Sequence, residues 1–198
     1  GLLRYEERLD LMLALLQDRR RAGRLQRLMG GDYRHPGILR RNIVDFPLAR
    51  IGLKGHEPVR AALLDALVRD PYFEVRSAAA RVLGEQSPPD AEVEEALTRA
   101  LGDRSETVVV AALRALSRVA RRPELLSRLR GFYTHTDWCF RQETVRALTG
   151  LLERGVLRPR DLAADVEQIL STSPNFEPAF PLKESLEALV RKVREGIA

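Results

Sequence analysis

The segment THTDWCF (residues 134–140) holds the residue types that come nearest to a reactive site in this 198-residue sequence. A thiol nucleophile needs a histidine base held beside it, and a zinc site needs about four converging ligands. His135, Asp137 and Cys139 supply one short His-x-Asp-x-Cys group, and the sequence has no second cluster to complete it. The simpler interpretation is a turn before a helix, with Asp137 as the N-cap. We therefore predict no catalytic residue, no metal site and no cofactor.

Two pairs of adjacent carboxylates are the other candidates for acid–base chemistry. Glu6 and Glu7, and likewise Glu94 and Glu95, occupy polar positions of amphipathic helical patterns. We interpret both pairs as solvated helix faces. These observations favour a protein that is not an enzyme.

Composition places the chain among soluble folded proteins, because 44% of its residues are hydrophobic and 31% are charged. No apolar run approaches the roughly 18 residues that a membrane span requires. The single cysteine cannot form an internal disulfide, which fits a reducing compartment, and we expect a cytoplasmic protein. The chain begins with Gly1 instead of methionine, as a fragment of a longer protein would.

One helical pattern recurs at a regular interval. VRSAAARVL from Val75, VVVAALRAL from Val108 and FRQETVRAL from Phe140 are 33 and 32 residues apart. A weaker copy, LRRNIVDFP, begins at Leu39, and its Pro47 predicts that this helix ends early or kinks. Another helical stretch precedes each of the three clear copies, at residues 55–70, 90–103 and 123–135.

Repeated helix pairs of this length predict an all-α fold, because one pair cannot bury its own apolar face and must stack on its neighbours. We expect a right-handed α-solenoid of about five stacked helix pairs, forming a single domain over residues 1–198. Capping helices would occupy residues 1–34, repeats 35–150, and a C-terminal capping pair 151–198. The loop STSPNFEPAFP at 171–181 lies inside that last pair. We expect Phe176 and Phe180 to be buried there, and the alternative is a loop displayed for a partner.

Alanines mark the inner face of the second helix of each pair. Ala78, Ala79 and Ala80 in one copy are matched by Ala111 and Ala112 in the next. Small side chains let two helix backbones approach closely, and larger ones would hold the layers apart.

The sequence DPYFEVRSAAARVLG at residues 70–84 resembles the HEAT-repeat family, in particular its bacterial PBS-lyase-like branch. The resemblance covers about residues 55–150. It implies a hydrogen-bonded ladder between repeats, formed by an aspartate at the position of Asp70 and an arginine at the position of Arg76. Asp103 and Arg141 match one ladder position each, so we expect an incomplete ladder. Val109 and His135 replace the missing partners.

The stripe opposite the alanines is the candidate binding surface, which in HEAT-like arrays is the concave one. Arg81, Arg114 and Arg146 occupy one equivalent position in three successive copies, and arginine forks bind carboxylates and phosphates. The full predicted stripe is Ser77, Arg81, Val110, Arg114, Arg118, Gln142 and Arg146. The alternative is a solvated face whose arginines pair with local acids.

Three functions compete. The leading hypothesis is a non-enzymatic adaptor whose concave surface binds an acidic or extended protein partner, or another domain of the same chain. A nucleic-acid-binding array similar to HEAT-like DNA glycosylases is the second, although residues 61–120 carry seven basic and ten acidic side chains. A bilin-lyase-like chaperone is the third, implied only by the family resemblance.

Overall fold

The computed structural model describes residues 4–19, 36–51, 53–86, 90–171 and 181–197, and the regular structure in these ranges is helical without strands. The helices are α1 (Tyr5–Gln17), α2 (Pro36–Ile43), α3 (Glu57–Arg69), α4 (Phe73–Gln86), α5 (Ala91–Ala100), α6 (Glu106–Val119), α7 (Leu125–Leu129), α8 (Trp138–Glu153), α9 (Pro159–Ser171) and α10 (Pro181–Glu195). Within these ranges no helix is long and apolar enough to cross a bilayer.

The helices form two stacked layers. The second layer consists of the second helix of each pair, α2, α4, α6, α8 and α10, and each of these packs on the next. In the first layer, α1 packs on α3 and α3 packs on α5. Polar contacts described below join α5 to the segment before α7, and the segment after α7 to α9. Within the described ranges, consecutive helices thus make five pairs, which confirms the all-α solenoid expected from the repeat length. The predicted helix at residues 22–29 and most of the loop at 171–181 lie outside the described residues.

Small residues bring the second-layer helices together, as the alanine pattern predicts. Ala79 and Ala80 of α4 and Ala112 of α6 are fully buried. Gly84 marks one close approach: a Cβ added there would lie 2.5 Å from the Cα of Ala115 on α6. A larger side chain in this seam would therefore require the two helices to separate.

Pro47 does not end its helix. The backbone widens into a π-helical turn over Val44–Leu48, and Ala49–Ile51 continue as a further α-helical turn. The N–H of Ala49 donates to the carbonyl of Val44, five residues back. Proline lacks an N–H and its ring collides with the carbonyl four residues earlier in an α-helix, whereas a π turn gives that ring more room.

Glu94 corrects one expectation, because it is buried and not on a solvated face. Only 3% of the residue is exposed, and its two carboxylate oxygens accept hydrogen bonds from the backbone N–H groups of Arg121 (3.0 Å) and Arg122 (2.9 Å). These N–H groups lie just before α7. Glu94 thus holds α5 against the next repeat.

Asp165 makes the equivalent link from the segment after α7 to α9. Its buried carboxylate accepts two hydrogen bonds from the guanidinium of Arg130, at 2.7 and 3.1 Å, and one from the hydroxyl of Tyr133 at 3.0 Å. Burial and the Asp165 charge raise the pKa of Tyr133, so that it stays a donor. Buried acids therefore join successive first-layer helices in the C-terminal half.

Candidate binding groove

A groove of about 560 Å³ crosses the exposed side of α2, α4, α6 and α8. Its floor is formed by small and apolar side chains on the second-layer helices: Phe73, Ala78, Val110, Ala111, Ala115 and Phe140. Because the stripe opposite the seam meets solvent on each of these helices, stacking them at a spacing of about 10 Å leaves a continuous concave strip. We call this feature the central groove.

The rim of the central groove is charged but balanced. Four basic side chains line it, Arg41, Arg81, Arg114 and Arg118, together with four acidic ones, Asp45, Glu74, Glu106 and Asp137. An apolar floor with a polar rim is the usual anatomy of a protein-binding surface. The balance of charge distinguishes this rim from a uniformly cationic track.

Most of the predicted stripe lies where the repeat alignment places it. Ser77, Arg81, Val110, Arg114 and Arg118 all line the central groove. Arg146 lies beyond it, in an adjoining cavity between α6, α8 and α10.

Gln142 was assigned wrongly to the exposed stripe, because only 5% of it is exposed. Helix α8 is covered on both sides: α10 packs on one flank, and Gly150 allows α6 to approach so closely on the other that an added Cβ would overlap the carbonyl oxygen of Ser117. Exposure on this face of α8 returns one turn later, at Arg146, whose side chain is 47% exposed.

The aligned arginines are held by carboxylates. Arg81 on α4 pairs with Asp45, in the π-helical turn that follows α2, at 2.8 Å and with Glu85 at 2.9 Å. Arg118 on α6 reaches the same Glu85 at 3.5 Å. The stripe is thus a set of bridges between second-layer helices as well as a row of positive charges.

Glu143 is the organising residue that the repeat pattern did not single out. Its side chain is 3% exposed, and its Oε1 accepts hydrogen bonds from Nη2 of Arg114 at 2.7 Å and from Nη1 of Arg146 at 3.0 Å. The bond to Glu143 raises the pKa of Arg114. Both arginine side chains remain about half exposed, at 51% and 47%. The sequence contains a signal for this residue: Glu143 aligns with the seam alanines Ala78 and Ala111, so a carboxylate replaces a small side chain at an equivalent position.

The predicted ladder residues make ion pairs between successive repeats. Arg76 donates from Nε and Nη2 to Asp103, at 2.7 and 2.8 Å, and from Nη1 to the carbonyl of Asp70 at 2.9 Å. Arg40, 1% exposed, donates from Nε and Nη2 to Asp70, at 2.7 and 3.0 Å. Arg141 lies half buried near the start of α8.

These ladder bonds affect the acids they reach. Burial alone would raise the pKa of Asp103, but the hydrogen bonds from Arg76 and from the N–H of Ser105 outweigh it and hold that pKa below its ordinary value. In the first layer, the hydrogen bond from Arg60 lowers the pKa of Asp90, the N-cap of α5. These carboxylates stay ionised at neutral pH.

The group of His135, Asp137 and Cys139, considered above as a possible reactive site, lies at the start of α8. Asp137 is the N-cap of α8 and accepts a hydrogen bond from the N–H of Cys139 at 2.8 Å. His135 stacks on Phe140, with ring centroids 3.9 Å apart. Partial burial and the Asp137 carboxylate raise the pKa of the Cys139 thiol, which opposes formation of a thiolate nucleophile. In the part of the chain that the structure describes, no three potential ligands converge as a metal site.

The stacked helix pairs and the groove across their second layer define a helical repeat solenoid, and comparison with known proteins agrees. The family of HEAT repeats matches residues 60–150, from α3 to α8, which supports a HEAT-repeat family for this part of the chain. The crystal structure of an engineered protein from the Northeast Structural Genomics Consortium is similar over 95% of this chain and 80% of that one, with a TM-score of 0.62 and 19% identity. At that identity the likeness shows the fold alone. No curated protein matches significantly.

Proposed function

We propose that this protein is a non-enzymatic adaptor that binds an extended segment of another protein, or of another domain of its own chain, in the central groove. The observation that carries the proposal is the continuous apolar floor between charged rims on the second-layer helices. Such a floor buries apolar side chains of a partner, while the rims fix its register through charge pairs. The raised pKa of the Cys139 thiol argues only against that residue as a nucleophile.

Nucleic acid is the weaker candidate for this groove. Phosphate binding favours an excess of lysine and arginine along the track. Here the rim carries as many acids as bases, and Arg81 and Arg114 are already paired with carboxylates.

The bilin-lyase-like alternative and the PBS-lyase-like branch rest on the motif at residues 70–84. A cytoplasmic location rests on the single cysteine.

A substitution at the floor of the groove tests the adaptor proposal. Val110→Glu places a charge on the half-buried centre of the floor, where the helix surface still reaches solvent. Val68→Glu is the matched control, since Val68 is 53% exposed on α3 in the other layer. Circular dichroism melts establish that both variants fold.

The assay is capture from the native host followed by binding of the purified partner. We expect a protein that binds wild type and Val68→Glu but loses at least tenfold in affinity for Val110→Glu. Retention of every partner by Val110→Glu would contradict the proposal. A bound fraction that nuclease removes would favour the nucleic-acid alternative.

A further inference from the structure

The central groove continues at both ends into further cavities, and the three together form one channel. A cavity of about 440 Å³ between α2 and α4 shares Arg41, Phe73 and Glu74 with the central groove. A cavity of about 550 Å³ between α6, α8 and α10 shares Arg114 and Arg118 with it. The channel thus crosses all five second-layer helices.

The end at α2 and α4 is apolar. Ile38, Pro71, Tyr72 and Phe73 line it, with one basic and one acidic side chain between them. Ile38 and Phe73 are each 41% exposed and line one cavity together with Pro71 and Tyr72, and such apolar clustering at a surface is typical of partner-binding sites. We call this feature the apolar end.

The end at α6, α8 and α10 carries a modest excess of basic side chains. Four of them line it, Arg114, Arg118, Arg146 and Lys192, against one lining acid, Glu153. Glu143 and Glu85 offset part of this charge through their pairs with the three arginines, so four bases and three acids leave one excess positive charge. Lys192 pairs with Glu153 but is 42% exposed, and Arg118 is 50% exposed. We call this feature the cationic end.

The cationic end is also held in place before any ligand arrives. Glu143, buried beneath it, holds Arg114 from α6 and Arg146 from α8 on one oxygen. A guanidinium has five N–H donors, and Glu143 engages one or two of those on each arginine. Because the buried acid already restricts these side chains, an anionic ligand would meet them at a smaller entropic cost.

We infer that the channel takes an extended acidic-and-apolar peptide, with an apolar cluster at the apolar end and a cluster of carboxylates at the cationic end. This inference rests on the proposed adaptor function and adds the chemistry and direction of the partner. The two ends are about three helix spacings apart, roughly 25–30 Å. An extended chain rises about 3.3 Å per residue, so roughly eight residues separate the two clusters.

Selection from a library of random 16-residue peptides on the immobilised 198-residue chain tests this inference. We expect enriched peptides to carry Asp or Glu at one end and aliphatic or aromatic residues about eight positions away. Affinity of a synthetic enriched peptide, measured by fluorescence anisotropy, should fall at least tenfold in the Arg118→Glu, Lys192→Glu variant. It should also fall steeply as salt rises.

Two further variants separate the two ends. Arg69→Glu with Arg99→Glu makes the same change in net charge on exposed side chains of α3 and α5, and should leave affinity within twofold of wild type. Ile38→Asp should weaken binding while preserving its salt dependence, because Ile38 contacts the apolar cluster only. Thermal melts check that each variant remains folded.

The outcomes distinguish this inference from the adaptor proposal. Enriched peptides that lose binding in Val110→Glu but lack an acidic cluster, or bind the Arg118→Glu, Lys192→Glu variant as well as wild type, overturn the inference and leave the adaptor standing. Enrichment of no peptide on wild type overturns both. Tighter binding of a 12-nucleotide oligodeoxythymidine than of any peptide assigns the cationic end to nucleic acid and also overturns the inference.

Discussion

Gly84 is a position where a single methyl group should disturb the stacking of α4 on α6. Its substitution by alanine adds a Cβ 2.5 Å from the Cα of Ala115 and still closer to the Cβ of that residue. Because the colliding atoms belong to a backbone and its first side-chain carbon, no rotamer change relieves the contact. Overpacking of this kind typically costs about 1–3 kcal/mol. Alanine offsets about 1 kcal/mol of this cost, because its helix propensity is higher than that of glycine.

An overpacking cost of about 3 kcal/mol, reduced by the gain of about 1 kcal/mol in helix propensity, leaves a net loss of about 2 kcal/mol. For a chain of this size, that loss lowers Tm by about 4–8 °C. Gly131→Ala is the control, since an added Cβ there has no neighbour within 4 Å. Far-UV circular dichroism follows all helices, while fluorescence of the single tryptophan, Trp138, follows the start of α8. A Tm of Gly84→Ala equal to or above that of Gly131→Ala would refute the close contact between α4 and α6.

Three other substitutions test the seam, the ladder and the anchor of the groove. Ala79→Leu should overpack a fully buried contact and cost about 1–3 kcal/mol, and an unchanged melt would place Ala79 outside the seam. Asp103→Asn should destabilise at pH 7, and its difference from wild type in urea unfolding should shrink as pH falls below about 4. The sign follows from the lowered pKa of Asp103, whose stabilisation is present above the ordinary aspartate pKa and disappears as the folded carboxylate is protonated. A difference that grows in acid would contradict the ion pair with Arg76. Glu143→Gln should cost about 1–3 kcal/mol through weaker bonds to Arg114 and Arg146; equal stability would show that Glu143 does not anchor them.

The repeat interval and the alanines predict the architecture well, because both reflect local constraints. The 33-residue step from Val75 to Val108 sets the length of a helix pair, and small Ala79 on the apolar face of its helix predicts a close helix contact. The ladder partner Asp103 could be recognised for a similar reason, since its place in the turn between helices is fixed by the repeat.

The groove was less predictable, because exposure on a helix depends on how closely its neighbours approach. Gln142 follows the same spacing as Ser77, yet the packing of α6 and α10 on α8 buries it. Glu143 occupies an alanine position, and the sequence alone does not tell which arginines will turn toward it. The cationic end includes Lys192 only because α10 packs beside α8.

The ladder bears on how the repeats can be gained or lost. Each rung joins an arginine in one repeat to an aspartate in the next, Arg40 to Asp70 and Arg76 to Asp103. A chain lacking residues 70–102 would bring Asp103 opposite Arg40 and restore a matched rung. Loss of the following unit, residues 103–134, would bring His135 opposite Arg76 and leave that arginine without its acid. Removal of the unit at residues 70–102 therefore preserves the pattern of the ladder, whereas removal of the next unit breaks it, so the units are not interchangeable along the chain.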